Sequence, residues 1–163
     1  MLIILADDKV AQLLYETTIR ELENEKERRK NIETKAQRFV IFSGILFSVV
    51  STYFLGFFET FDKIYLIIFI ISLIGLAVSI FFFTYTLKTY NFKYFDVEKL
   101  IIFAQDYEYD GLIKRLTGTF SEYIIERRDI NNRKVKLLDI GCLFFFISLA
   151  LMVSGIFFFM FNV

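Results

Sequence analysis

Chemical capacity in this chain is concentrated in two basic clusters, Arg28-Arg29-Lys30 and Arg127-Arg128, and in the acids Asp106, Glu108 and Asp110. Clustered cations suit phosphate, which they neutralise through charge-assisted hydrogen bonds. The five basic residues are therefore candidate ligand-binding groups for an anionic, nucleotide-type signal. A solvated helix face, or contact with anionic lipid headgroups, accounts for the same clusters without a ligand. The three acids read as a solvated turn rather than a metal site, because a calcium loop needs about six to eight oxygen ligands. There is no His and a single Cys, Cys142. That excludes nearly every zinc, copper or haem site, any His general acid or base, and a disulfide within the chain. Cys142 itself reads as a small, inert packing residue. No phosphate-cradling glycine loop, nucleophile–base pair or metal-spaced carboxylate cluster is visible. The expectation is a protein that is not an enzyme and carries no cofactor or metal.

The elements that must position these groups follow from where charge is missing. The chain is 56% hydrophobic, with 22 Phe and no Pro, against about 45–50% apolar in an ordinary soluble domain. Its 19 acidic and 19 basic residues all lie outside residues 39–58, 64–87 and 140–163. A helical crossing needs about 20 apolar residues, and each stretch meets that length. Lipid offers the backbone no hydrogen-bond partner, so each stretch should be a helix. The expected fold class is an all-α membrane protein with three transmembrane helices. Long cytoplasmic helices precede span 1 and separate spans 2 and 3. The division is 1–38, an N-terminal cytoplasmic helix; 39–58, span 1; 59–63, a short outside turn; 64–87, span 2; 88–138, a cytoplasmic helical region; and 139–163, span 3.

Orientation follows from Lys and Arg. All of them except Lys63 lie before residue 39 or between residues 88 and 136. The positive-inside rule makes those segments cytoplasmic, with the N-terminus inside and the C-terminus outside. Met1–Leu5 is too short for a signal-peptide core.

Before span 1, Val10, Leu13, Leu14, Thr17 and Leu22 form an apolar strip at helical spacing, with Asp7 or Asp8 as its cap. From Glu23 to Asn31 the strip gives way to alternating charge, so either one long helix or two with a hinge near Asn24–Asn31 is expected. Tyr90, Phe92, Tyr94 and Phe95 form an aromatic cluster past span 2, followed by a short apolar helix or turn at Val97–Ala104. Asp110 is a candidate cap for a helix whose face carries Leu112, Leu116, Phe120, Tyr123, Ile130 and Leu137. Two such amphipathic helices should pack against each other or against neighbouring subunits. Within the spans, Gly44, Ser48, Thr52 and Gly56 repeat every fourth position, span 2 offers Ser72, Gly75 and Ser79, and span 3 offers Gly141, Ser148 and Gly155. Such stripes let helices approach closely in lipid. Gly44, Ser48, Thr52 and Gly56 are thus candidate interface or pore-lining residues. No ionisable residue is buried mid-membrane, which argues against a proton relay, a coupled transporter or a voltage sensor.

The layout resembles a known group. Ile32-Glu33-Thr34-Lys35-Ala36 leads into span 1, and a very short turn leads to span 2. Lys93-Tyr94-Phe95 follows, then a helix with Asn131, Asn132 and Lys136, then span 3. This is similar to the Pycsar transmembrane effectors of bacterial antiphage defence and the related SLATT group. Their pattern places an acidic residue two positions before Lys-Ala ahead of the first span; Glu33 with Lys35-Ala36 fits, with Glu for the usual Asp. The likeness covers most of residues 30–155 and lacks the additional soluble sensing domain of some members. It implies a homo-oligomer in the bacterial inner membrane that permeabilises or depolarises the cell. The trigger would be a nucleotide signal from a partner cyclase or nucleotidyltransferase. The alternative expectation is a non-catalytic membrane scaffold whose cytoplasmic helices recruit a partner protein.

Overall fold

A computed structural model describes residues 2–57, 63–88 and 109–162. They form three helices, α1 (Leu2–Phe57), α2 (Lys63–Thr86) and α3 (Tyr109–Asn162). Among the described residues none has positive φ, and the chain has no Pro, so nothing forces a break. Of the two alternatives for Asn24–Asn31, one long helix or two with a hinge, the structure has the single continuous helix. That stretch is rich in Glu, Lys and Arg, all good helix formers, and α1 runs straight through it. The expected caps are corrected for a related reason. Leu, Ile and Ala before Asp7 are also good helix formers, so α1 already begins at Leu2, and α3 begins one residue before Asp110. Of the turn expected at 59–63, Lys63 already opens α2, and 59–62, the aromatic cluster Tyr90, Phe92, Tyr94 and Phe95, the segment 97–104, and the acids Asp106 and Glu108 lie outside the described residues.

Among the described residues, three helices are long and apolar enough to cross a membrane. The chain divides into two compact units, with boundaries after Lys30 in α1 and after Asn132 in α3. In the first unit the N-terminal parts of α1 and α3 pair. Ala11, Ile113 and Ile124 are buried, and the rings of Tyr15 and Phe120 lie 6.1 Å apart. The apolar strip differs from expectation. Val10, Leu13, Leu14 and Thr17 are exposed, while Ala11, Tyr15, Thr18 and Leu22 turn inward. These inward positions recur at three- and four-residue steps and include Glu25, the spacing of a supercoiled helix pair rather than of a straight amphipathic helix.

The second unit holds the apolar parts of all three helices. The buried positions of α2 are Phe69, Ser72, Leu76, Ser79, Phe83 and Thr86. Steps of three and four alternate, so a large residue and a small hydroxyl residue each recur every heptad. On α3 the same rhythm appears, with Leu138, Phe145 and Met152 as knobs and Gly141, Ser148 and Gly155 as gaps, all buried. The small residues expected as a stripe in span 3 are thus the contact line with α2. A Cβ placed on Gly75 would collide with Ser148 Oγ, and one on Gly141 would lie 2.7 Å from the Phe83 ring. Ser79 Oγ donates across this seam to the Gly141 carbonyl at 3.0 Å. Ser72, Thr86 and Ser148 instead donate to carbonyls one turn back on their own helices, which satisfies hydroxyls where water is absent. Phe39 of α1 closes the core by stacking on Phe83 at 4.9 Å and meeting Phe145 edge-on at 5.9 Å.

Candidate functional site

The first unit gathers part of the basic collar around an acid. Glu25 is buried, 6% exposed, in the inward row of α1, and Asn131 of α3 is 1% exposed. The Asn131 Nδ2 donates to the Glu25 backbone carbonyl at 2.9 Å and to its Oε2 at 2.8 Å. Arg128 Nε donates to Glu25 Oε1 at 3.1 Å, and its Nη2 to Glu21 Oε2 at 3.3 Å. Arg28 lies 3.6 Å from Glu25 Oε1 and donates to Asn132 Oδ1 at 3.0 Å. Arg28 and Arg128, from the two predicted clusters, therefore converge on one carboxylate. Arg29 and Arg127 are half-buried and Lys30 is exposed.

Burial of Glu25 favours its neutral form. The Asn131 and Arg128 hydrogen bonds and the charges of Arg28 and Arg128 outweigh it and hold the carboxyl below the ordinary Glu value. A carboxyl lowered on folding stabilises the folded state above the unfolded-state value and loses that contribution as pH falls through the folded one. Unfolding of the detergent-solubilised protein should therefore show a Glu25-dependent loss of stability only below about pH 4.5. Glu25→Gln should flatten that acid limb of the stability curve while leaving the neutral region level.

Sequence reasoning missed this hub. Glu25 stands there within a stretch of alternating charge, and Asn131 enters only through a resemblance. The usable signal was an acid standing in a three-four row otherwise filled by Ala11, Tyr15, Thr18 and Leu22. A second ion pair was missed in the same way. In the second unit, Lys134 is fully buried and donates to Glu33 Oε1, beside the buried Ile32 and Ala36.

The predicted stripe of span 1 faces away from this core. Nothing lies within 4 Å of a Cβ placed on Gly44 or Gly56. Ser48 and Thr52 are exposed, and their hydroxyls donate to the carbonyls of Gly44 and Ser48. Only 11% of the most apolar window of α1 is buried, against 28% in each of α2 and α3, so α1 carries the largest uncovered apolar face. Ser43, on the opposite face, is fully buried. Among the described residues no group of three or more His, Cys, Asp or Glu could hold a metal ion.

Among the described residues the chain is helical, with three apolar helices of membrane-crossing length, which marks a multi-pass membrane protein. The chain matches no family model, no curated protein and no solved structure.

Proposed function

We propose that the chain is a non-enzymatic, oligomeric inner-membrane effector of an antiphage defence system. In this reading it opens a pore, or disrupts the bilayer, when a partner cyclase or nucleotidyltransferase changes its nucleotide signal. The N-terminus and both charged segments face the cytoplasm, as the positive-inside bias requires. The observation that carries the reading is the uncovered, charge-free face of α1 bearing Gly44, Ser48, Thr52 and Gly56. Such a face buries itself against other copies in lipid, where close backbone approach supplies the attraction. A ring of copies would surround a conduit walled by apolar and hydroxyl side chains, suited to gating by dewetting.

The collar Arg28, Arg29, Lys30, Arg127 and Arg128 is the entry point for the signal in this reading. Arg28 and Arg128 keep 42% and 51% of their side-chain surface exposed. Phosphate reaches them in competition with Glu25 and Glu21. That internal neutralisation favours the second reading, a membrane scaffold in which the arginines merely hold two helices together for a partner protein.

Induced expression with a voltage-sensitive dye separates the two. The pore reading expects depolarisation on activation, abolished by Gly44→Leu with Ser48→Leu, together with a smaller oligomer in detergent. Arg28→Gln with Arg29→Gln leaves four basic residues shortly before span 1 or beside it (Lys26, Lys30, Lys35 and Arg38). That variant should insert normally and lose its response to the signal. Unchanged membrane potential under all conditions would leave the scaffold.

A further inference from the structure

Where the apolar part of α1 begins, its surface carries a groove of about 740 Å³. Among the described residues it is lined by Lys35, Arg38, Phe39, Ile41, Phe42 and Ile45. Its two ends differ in chemistry. Lys35 and Arg38 are exposed and have no ion-pair or hydrogen-bond partner among the described residues, unlike Arg28, Arg128 and Lys134. One to two turns further on, Ile41, Phe42 and Ile45 are 64%, 53% and 58% exposed. From Lys35 to Ile45 the helix rises about 15 Å, the depth from a headgroup to the upper acyl chain.

We propose that this groove is a binding site for one anionic phospholipid, its phosphate held by Lys35 and Arg38 and an acyl chain laid over Ile41, Phe42 and Ile45. Charge complementarity selects the occupant. Two cations with no ion-pair partner among the described residues stand at the mouth and suit an anion, and an apolar floor inside a candidate span suits hydrocarbon, which a soluble nucleotide or free phosphate lacks. A second copy packed here about a twofold axis would set Lys35 and Arg38 against their own equivalents, an unfavourable juxtaposition. Arg38 adds planar, multi-donor recognition of the phosphate oxygens, and both long side chains reach the interface while their stems stay apolar.

The test is native mass spectrometry of the full chain in detergent, titrated with dioleoylphosphatidylglycerol or dioleoylphosphatidylcholine. The wild type should bind the anionic lipid on the order of tenfold more tightly, as expected for two basic groups near a headgroup. Millimolar inorganic phosphate should not displace it. Lys35→Gln with Arg38→Gln should erase the preference while retaining weak binding of both lipids, and Phe42→Ser with Ile45→Ser should weaken both alike. Equal affinity of the wild type for the two lipids would overturn the site without any variant. Displacement by phosphate would reduce it to an anion site, and a change of subunit number in place of lipid loss would make it a contact between copies; either result also overturns the proposal.

Discussion

Asn131→Asp is expected to lower stability by about 2–4 kcal/mol at neutral pH, although it changes almost nothing in shape. Asn131 Nδ2 gives two hydrogen bonds to Glu25, one to the backbone carbonyl and one to the carboxylate. Aspartate would present an acceptor where both partners are acceptors, and would place a second negative charge against a buried one. Two carboxylates so close cannot both ionise, so the pair would take up a proton with an apparent pKa above the ordinary range. The variant should therefore recover part of its stability as pH falls from 7 toward 5, whereas the wild type should stay level there. Thermal unfolding in detergent, followed by circular dichroism at both pH values, measures this. A defect of equal size at both pH values would remove Glu25 from the explanation.

Gly141→Ala is the second large effect, a loss of about 1–3 kcal/mol from adding one methyl group. The new Cβ would sit 2.7 and 2.8 Å from two ring carbons of Phe83. Phe83 is fully buried and stacked on Phe39, so it cannot swing away. Pushing α3 back instead would stretch the Ser79 hydrogen bond to the Gly141 carbonyl. Gly44→Ala and Gly56→Ala meet no atom within 4 Å and should be neutral or slightly stabilising in the isolated chain, since Ala favours helix. Phe83→Leu combined with Gly141→Ala should restore part of the loss, and a double-mutant cycle would report the coupling. Additive effects would mean that the two residues do not compete for the same space.

Much of this architecture was legible in the sequence because lipid imposes a coarse requirement. Any apolar run of sufficient length must be helical, and charge marks its ends. Residues 64–87 were expected as a span and α2 is Lys63–Thr86. The recurrence of Gly141, Ser148 and Gly155 at every seventh position pointed to a packed seam, and α2 lies against it. The inward face of the N-terminal part of α1 was not legible, because Val10, Leu13 and Leu14 outweigh Ala11, Tyr15 and Thr18 on any hydropathy reading. Only the partner helix decides which side is covered. The Glu25–Asn131–Arg128 cluster was hidden for a similar reason. Its members lie more than a hundred positions apart, and a buried carboxylate is disfavoured until those partners are supplied. The same holds for Lys134, whose burial makes sense only with Glu33 beside it.

The seam between α2 and α3 behaves as a toothed rack. Phe69, Leu76 and Phe83 are teeth, Ser72, Ser79 and Thr86 are notches, and α3 carries the complementary set in Leu138, Phe145, Met152 and Gly141, Ser148, Gly155. A heptad advances about 10 Å along the axis, so the two helices can slide to their next matching position only by that distance. Every smaller displacement drives teeth onto teeth. The pair is thereby locked against gradual shear, whereas α1 meets it through a mixed face, with Ile32, Ala36 and Val50 buried, Phe39 and Phe54 stacked on rings of α2, and Glu33 paired with Lys134, that carries no such repeat of notches.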